Sequence, residues 1–355
     1  SDLLGLLTGS GHEIVDSEEE AEAIVVNTCC FIHDAKEESI NTILEMAEYK
    51  KSGICQVLIV TGCMAQRYKE EIVQEIPEVD AVLGTTSYDD IVQALNEASA
   101  GKHFEEFKDI NFLPEDSGRR VITTGGHFGY LKIAEGCDKH CTYCIIPSLR
   151  GNFRSVPEER LLAQAEYMAS QGVKELILVA QETTVYGTDL YGKKTLHLLL
   201  RKLCQIKGIR WIRILYCYPE EIYDELIQVM KEEKKICHYL DLPIQHCSDR
   251  ILKRMGRRTS KAQLVEIITK LRKEIPDIVL RTSLITGFPG ETEEDHQELM
   301  EFVDEMEFDR LGVFTYSPEE DTPAATMKDQ IPEELKEERR DEIMELQQEI
   351  SLDKG

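Results

Sequence analysis

A short apolar run leads directly into three closely spaced cysteines in the stretch YLKIAEGCDKHCTYC, residues 130–144. Cys137, Cys141 and Cys144 form a C-x3-C-x2-C array. Thiolates at this density are soft ligands, which suit zinc or an iron–sulfur cluster. A cluster held by three cysteines keeps one iron open for a substrate or cofactor, whereas a four-ligand structural zinc site has no open position.

The zinc alternative requires a fourth ligand, and the sequence near the array offers a poor one. His140 adjoins Cys141, so the two side chains would need a strained turn to reach one ion. No second C-x2-C pair follows at the distance that is typical of zinc ribbons. The pattern therefore favours an open iron–sulfur cluster.

Strand and helix patterns alternate six times from residue 130 onward. Apolar runs predict strands near residues 130–134, 176–180, 211–216, 239–242, 279–285 and 310–316. Helical periods between them lie near residues 157–170, 195–206, 220–233, 260–274 and 292–306. Six such units predict a closed or partial TIM-like (βα)6 barrel, with its chemistry at the carboxyl ends of the strands. The cysteine array lies at that end of the first strand.

Residues 1–102 predict a separate, open parallel α/β domain. Strand-like runs at 24–26, 57–60 and 81–84 alternate with helical periods near 35–50, 64–76 and 91–98. Cys29 and Cys63 each follow a strand, at the sheet edge where open α/β proteins bind ligands. These two thiols are therefore expected to converge.

Composition suggests the remaining boundaries. The polar segment 103–127 is interpreted as a linker to the barrel at 128–330. Residues 331–355 form a charged helical pattern, interpreted as a linker helix and not as a binding tail. The chain starts and stops within helical patterns, so both ends are expected to be truncated.

The 355-residue chain has the composition of a globular protein with a large acidic excess. It carries 41 basic and 67 acidic residues, for a net charge of −26, and 11 cysteines. No apolar run approaches the ~20 residues of a membrane helix, and a secretory signal pattern is absent from the sequence. These features predict a cytoplasmic protein without membrane contact, whose cysteines ligate metal or stay buried as thiols. The acidic surface favours a basic partner and leaves nucleic acid contact open.

The cysteine array, with Tyr143 before its last member, resembles the signature of the radical S-adenosylmethionine (SAM) enzymes. The resemblance implies that Cys137, Cys141 and Cys144 hold a 4Fe-4S cluster whose open iron binds SAM. Reductive cleavage of SAM would give a 5′-deoxyadenosyl radical, which the protein positions and shields from water. It also implies a one-electron reductant such as flavodoxin.

A closer resemblance is to the methylthiotransferases, through the segments NTC at 27–29 and TGC at 61–63. In that family, three amino-terminal cysteines hold a second 4Fe-4S cluster that is implicated in supplying the inserted sulfur. Cys29 and Cys63 would be two of these ligands. The family's first ligand lies upstream, so the chain is expected to lack it and to hold the second cluster incompletely. Cys30 is interpreted as a buried neighbour and not as a replacement ligand.

Within that family, four segments resemble the branch that modifies a ribosomal protein. They are AEGCDKHCTYCIIP at 134–147, RGNFRS at 150–155, DLPIQH at 241–246 and YSPEEDT at 316–322, in which Asp321 departs from the usual glycine. The resemblance implies methylthiolation of the β-carbon of an aspartate in the twelfth protein of the small ribosomal subunit. The carboxyl-terminal β-barrel module of that branch is expected to be absent.

Further cofactor contacts are predicted at the ends of the barrel strands. Gln181 and Glu182 end the second strand, where the superfamily places polar groups that bind the methionine amino group. Tyr143, Ser283 and Gly287 are further candidates, Gly287 because a glycine allows a ligand to approach the backbone closely.

Two residues have alternatives that the sequence leaves open. Arg213 lies on the third strand, where it would bind the cofactor or fill the barrel. His246 faces the rim and would be a ligand or a hydrogen-bonded structural histidine.

Three functions are therefore weighed. The first is a radical enzyme that methylthiolates a ribosomal protein, and the second is a tRNA adenosine methylthiotransferase. The third is a non-catalytic zinc or iron–sulfur binding protein. Because ribosomal proteins are basic, the net charge of −26 favours the first over the second. The pair Glu319-Glu320 favours it too, because the tRNA branch tends to carry a basic residue there.

Overall fold

The computed structural model of the chain describes residues 15, 21–28, 33–52, 55, 57–62, 72, 76, 78, 79, 81–83, 104–106, 128–144, 149 and 151–355. The chain divides into two compact units, Ser1–Thr123 with Ile145–Asn152, and Thr124–Cys144 with Phe153–Gly355. In the described part of the chain, no helix combines the length and apolar character needed to cross a membrane.

The first unit contains a parallel four-stranded sheet. Its strands, in spatial order, are β1 (Ala23–Thr28), β2 (Val57–Gly62), β3 (Ala81–Leu83) and β4 (Phe104–Glu106). Helix α1 (His33–Ser52) connects β1 to β2 and buries Ile43 against Val26 and Leu58. This arrangement agrees with the predicted open α/β domain.

The first unit also departs from the sequence interpretation at one place. Strand β4 lies within the segment 103–127 that was interpreted as a linker, so that interpretation is wrong for residues 104–106. Pairing with β3 satisfies the backbone groups of this short polar segment, which carries no strong strand pattern of its own. The predicted helices at 64–76 and 91–98, and Cys29, Cys30 and Cys63, lie outside the described residues.

The second unit is built on a six-stranded parallel sheet whose strands follow one another in chain order. Its strands are β5 (Phe128–Lys132), then β8 (Glu175–Val179), β9 (Trp211–Ile214), β10 (Ile236–Asp241), β11 (Val279–Thr286) and β12 (Arg310–Thr315), while β6 (Ala134–Glu135) and β7 (Arg154–Ser155) form a separate antiparallel pair. Among the described residues, no pairing joins β5 to β12. The order therefore matches a partial (βα)6 barrel, and the predicted fold class is confirmed.

Helices connect the strands. They are α2 (Glu158–Ser170), α3 (Thr188–Tyr191), α4 (Leu196–Cys204), α5 (Asp224–Glu232), α6 (Asp249–Arg254), α7 (Lys261–Glu274) and α8 (Glu293–Met306), and α9 (Glu333–Lys354) follows β12. Capping boxes begin α7 at Ser260 and α8 at Thr292. The five long connecting helices lie close to the predicted positions, whereas α3 and α6 are too short to show a helical period.

The two faces of the barrel sheet differ in exposure. Along β11, the even-numbered residues from Leu280 to Thr286 are buried, and the odd-numbered residues are half-buried. Side chains that alternate in this way point to opposite faces. We call the half-buried side the open face, and its members include Glu175, Arg213, Tyr239, Arg281 and Arg310, which contact or neighbour one another.

Helix α9 is a packed part of this unit, so its interpretation as a linker helix is wrong. Its buried residues recur every three or four positions, at Lys336, Arg339, Ile343, Gln347 and Ile350. The Nζ atom of Lys336 donates to the Tyr316 carbonyl at 2.9 Å, and Gln347 donates to the Phe308 carbonyl at 2.9 Å. Because this packing face carries long polar side chains, the spacing of apolar residues in the sequence did not predict it.

A buried ion network ties α9 to the loop after β11. The carboxylate of Glu291 accepts from His246 Nε2 at 2.8 Å, from Arg339 Nη1 at 2.9 Å and from the Gly287 amide at 3.0 Å. The Nδ1 atom of His246 accepts from two backbone amides, so His246 is a hydrogen-bonded structural residue. Burial alone would raise the pKa of Glu291, but its bonds to His246 and Gly287 and the charge of Arg339 lower it.

Replacing Arg339 by methionine is expected to lower the free energy of unfolding by about 3–5 kcal/mol, because Glu291 would keep a buried charge without its main cationic partner. Urea unfolding measures this loss. The matched control is Arg340→Met, at a neighbouring half-buried position whose ion pair with Asp341 lies at the surface, and it should change stability by less than about 0.5 kcal/mol. Equal effects of the two substitutions would contradict the argument.

Candidate active site

The cysteine loop begins with a left-handed residue, Gly136, at φ 79°. Cys137 and Cys141 are buried, with 4% of their surface exposed, and Cys144 is half-buried. The Lys139 amide donates to Cys137 Sγ at 3.4 Å, and the Cys144 amide donates to the Cys141 carbonyl at 3.1 Å. The loop thus folds back on itself and carries all three thiols within eight residues.

The loop is anchored to the segment that follows α6. The Thr142 amide donates to the Met255 carbonyl at 2.8 Å, and its hydroxyl donates to the Arg254 carbonyl at 2.8 Å. Gly256 has φ 75°, and a Cβ there would lie 3.0 Å from the His140 carbonyl oxygen. A glycine is therefore required where the two segments cross.

The surroundings do not support the zinc alternative. His140 is exposed, whereas the thiols beside it are buried. Among the described residues, no group of three or more histidine, cysteine, aspartate or glutamate side chains is arranged to hold a metal ion. That finding concerns ligands that meet at one ion. Cysteines that hold an iron–sulfur cluster bind separate irons and need not converge on one point.

Aromatic and basic side chains surround the thiols. The Arg257 guanidinium lies 4.4 Å from the centre of the Tyr218 ring, and its Nη2 donates to the Pro243 carbonyl at 2.6 Å. Its Nε and Nη1 atoms are buried and have no hydrogen-bond partner in the part of the chain that the structure describes. Burial raises the pKa of both Tyr218 and Tyr143, and the nearby thiols raise them further, so both phenols stay neutral.

Tyr143 belongs to an aromatic row. Its ring packs edge-on against Phe288 at 6.4 Å between centroids, and Phe288 packs against Tyr316 at 5.3 Å. The row joins the cysteine loop to the loops that follow β11 and β12.

Glu182, which the sequence analysis proposes as a cofactor contact, is a buried carboxyl whose charge acts on the Cys137 thiol. Burial raises the pKa of Glu182 to about 7. The negative charges of Glu221 and Glu220 also raise it, whereas the positive charge of Lys139 lowers it. Burial also raises the pKa of Cys137 to about 11, to which the charge of Glu182 contributes. Glu182 Oε1 and the neighbouring Gln181 Oε1 are buried acceptors that have no hydrogen-bond partner among the described residues.

Three other predicted contacts lie apart from this cluster. Arg213 bonds Glu175 at 3.1 Å and lies 4.8 Å from the Tyr239 ring centre, so its contacts are those of barrel filling. A Cβ at Gly287 would lie 2.1 Å from Lys336 Cγ, so the packing of α9 explains this glycine. Ser283 is half-buried on the open face of β11.

Sequence reasoning missed Lys139, Tyr218 and Arg257. Lys139 donates to Glu221 at 2.9 Å and lies 5.8 Å from the Tyr218 ring centre. A local signal existed for Arg257, because KRMGRR at 253–258 is a basic run in a strongly acidic chain. Tyr218 gave no local signal, since its position depends on the loop after β9.

Comparison with known proteins places the chain in a family. Residues 131–303 match the model of the radical SAM superfamily, and residues 1–84 match that of the uncharacterized protein family UPF0004. Over 353 residues the chain is 68% identical to the ribosomal protein uS12 methylthiotransferase RimO of Lachnoclostridium phytofermentans, covering 99% of this chain and 80% of that protein. The chain belongs to the uS12 methylthiotransferase RimO family.

Other comparisons agree with this membership. The protein of the same name from Clostridium botulinum (strain Langeland) is 54% identical over 344 residues, covering 96% of this chain and 77% of that protein. The structure of TsrM, a radical SAM methyltransferase from Kitasatospora setae, is similar in fold with a TM-score of 0.64 at 13% identity. That match covers 91% of this chain and 73% of TsrM and concerns the fold alone. The chain is thus a radical SAM methylthiotransferase, and neither alternative function is favoured.

The residues at the site fit the cofactors that this family implies. Three clustered thiols supply the soft ligands of a 4Fe-4S cluster. The acceptors Gln181 and Glu182 suit the ammonium group of SAM, and the two spare donors of Arg257 suit an anionic group. Buried polar atoms without partners are uncommon in native proteins, and those at this site are available to the polar groups of a bound cofactor.

A Gly256→Ala substitution should reduce cluster assembly. The added Cβ would press on the His140 carbonyl, so the cysteine loop must shift, and we expect less iron per chain after anaerobic reconstitution. Gly192→Ala is the matched control, because Gly192 has φ 74° but nothing within 4 Å of the added atom. Both variants carry the same backbone strain of about 1 kcal/mol. Equal iron loss in both would show that strain, and not the crossing, is responsible.

The Glu182 carboxyl predicts a pH dependence of stability. The unfolded chain loses this proton near pH 4.5 and the folded chain near pH 7, so its contribution to stability falls as pH rises through that window. Without cofactors, the free energy of unfolding of the Glu182→Gln variant should exceed that of the wild type by about 2–3 kcal/mol above pH 7. The difference should be smaller at about pH 5.5. Urea unfolding at both pH values measures this, with exposed Glu166→Gln as control. A gain that does not vary with pH would refute it.

Proposed function

We propose that this chain methylthiolates the β-carbon of an aspartate in ribosomal protein uS12, using SAM and two iron–sulfur clusters. The observation that supports this proposal most directly is the identity of 68% and 54%, over nearly the whole chain, to two uS12 methylthiotransferases. A β-carbon C–H bond beside a carboxylate resists proton abstraction, so a radical route suits it.

The cluster and SAM, when bound, supply a one-electron cleavage that yields a carbon radical. The chain's residues do the rest. Cys137, Cys141 and Cys144 hold the cluster, and Glu182 with Gln181 binds the ammonium group of SAM. The aromatic row from Tyr143 to Tyr316 keeps water out, since its rings pack edge to face across the two loops.

Glu182 is suited to this role by its electrostatics. Its raised pKa means that the carboxyl is partly neutral near pH 7 in the protein alone. An ammonium group beside it would favour the charged form, so binding SAM would lower the pKa of Glu182 again. Part of the burial cost of this carboxylate would then be offset by the cofactor.

The second cluster is supported by the resemblance of the first unit to the methylthiotransferases. Cys29 and Cys63, which we propose as its ligands, both fall within the 1–84 family match. A reductant such as flavodoxin would supply electrons, and a ribosomal substrate implies a cytoplasmic site of action. The tRNA alternative is less well supported, because the relatives are named for uS12 and the net charge is −26.

The proposal predicts that the full-length protein, reconstituted anaerobically and given a reductant and SAM, adds one methylthio group to uS12. Mass spectrometry of uS12 and measurement of 5′-deoxyadenosine are the readouts. Cys141→Ala should abolish both, because it removes a cluster ligand. Cys204→Ala, which removes a buried thiol on α4, should retain both. Unmodified uS12 with active wild-type SAM cleavage, or modification of tRNA instead, would overturn the proposal.

A further inference from the structure

The structure describes four buried lysine and arginine side chains, and three of them have a carboxylate partner. The three ion pairs are Lys139–Glu221 at 2.9 Å, Lys336–Glu333 at 2.7 Å and Arg339–Glu291 at 2.9 Å. Arg257 is the fourth, with 6% of its surface exposed, and no carboxylate of the described residues forms an ion pair with it. A buried charge without a counter-ion is costly, so Arg257 is suited to a site that an anion completes.

The hydrogen bonds of Arg257 show the same imbalance. Its Nη2 donates to the Pro243 carbonyl at 2.6 Å, whereas Nε and Nη1 are buried and have no partner among the described residues. A carbonyl oxygen satisfies one donor but carries only a partial negative charge. Two donors of the guanidinium therefore remain available to another group, together with most of its positive charge.

Arg257 lies beside the cysteine loop. The residue before it, Gly256, is so close to the loop that a Cβ there would lie 3.5 Å from Cys141 Cα. The guanidinium stacks on Tyr218, whose pKa is raised by burial and by the charges of Cys141 and Cys137. Burial lowers the pKa of Arg257, but nearby charges that include Cys141 raise it above its usual value. The guanidinium is therefore at the strand edge that carries the thiols.

The other side chains near Arg257 do not supply the counter-ion. Tyr143 and Tyr218 stay neutral, because burial raises the pKa of each phenol well above its usual range. The charges of Glu182 and Glu220 reach the guanidinium, but neither carboxylate forms an ion pair with it within the described ranges of the chain. The remaining candidates are the anionic groups of the cofactors.

An iron–sulfur cluster fits this position better than the carboxylate of SAM does. SAM is consumed at each turnover, so its binding groups need a path to solvent, whereas the iron–sulfur cluster stays bound. The free donors of Arg257 are buried, as are the thiols of Cys137 and Cys141, which are 4% exposed. Donors enclosed to this degree suit the group that remains in place.

We propose that Arg257 donates from Nε and Nη1 to sulfur atoms of the 4Fe-4S cluster and so raises its reduction potential. This inference rests on the proposed function, since it requires that cluster to be held by Cys137, Cys141 and Cys144. A 4Fe-4S core with three thiolates is an anion, and the electron from the reductant makes it more negative. A buried cation stabilises the reduced form more than the oxidised one, and net charge and hydrogen bonds to the sulfurs set the potential of such clusters. Arg257 would thus be a positioning residue that makes the electron transfer more favourable.

The test is a redox titration of the reconstituted full-length protein without SAM, followed by electron paramagnetic resonance. Cys29→Ala and Cys63→Ala are present throughout, to exclude the second cluster. We expect Arg257→Gln to make one-electron reduction at least about tenfold less favourable, which lowers the midpoint potential by about 59 mV or more. Arg257→Lys should show a smaller decrease, because it keeps the charge but loses the planar pair of donors.

The matched control is Arg258→Gln, which removes the same charge from the exposed neighbouring arginine and should leave the potential unchanged. Iron content and circular dichroism identify variants that fold and hold the cluster, and Arg257→Lys carries the test if Arg257→Gln does not. An unchanged potential in the Arg257 variants would overturn the inference. If SAM bound more weakly as well, the guanidinium would be assigned to the SAM carboxylate instead. Unmodified uS12 in the presence of the expected potential shift would refute the proposed function alone.

Discussion

The crossing of the cysteine loop over the end of α6 is the contact on which the site depends. Thr142 is held by carbonyls of Arg254 and Met255, more than 100 positions along the chain, and its own carbonyl accepts from the Ala324 amide at 2.8 Å. A nine-residue loop with no regular structure cannot fix three thiols by itself. The barrel does so, because its parallel strands end at one edge and bring these distant segments together. The fold is thus the means by which a local motif becomes a site.

The same edge shows how an acidic protein uses its cations. Arg257, Lys336 and Arg339 are almost fully buried, and each is anchored on a carbonyl, a carboxylate or both. Burying a charge is costly unless it is paired, so these positions are fixed tightly. Arg257 differs from the other two because two of its nitrogen atoms, beside the thiols, have no partner within the described ranges of the chain. Arg339 retains one such atom, but its charge is met by Glu291.

The barrel and the cysteine loop could be predicted from sequence because both are local. An apolar run of five residues predicts a strand whichever neighbour it pairs with, and the spacing of the thiols is visible in the sequence itself. The predictions that were wrong concern features that depend on tertiary contacts. The packing face of α9 includes Lys336, Arg339 and Gln347. Their aliphatic stems are buried and their polar ends form hydrogen bonds, so the sequence shows no apolar period there. Strand β4 exists because β3 offers an unpaired edge, and Gly287 is a glycine because Lys336 lies against it.

The charges of the protein act on a partner over two ranges of distance. The net charge of −26 acts over about a Debye length, roughly 8–10 Å in salt, and would draw in a basic protein without choosing a residue. Contact with an individual acidic side chain would need the opposite sign at short range. The open face does carry cations at such short range from one another, since Arg281 and Arg310 lie side by side on β11 and β12. A negative net charge and locally cationic positions are therefore compatible in one protein, because screening limits the range over which each charge acts.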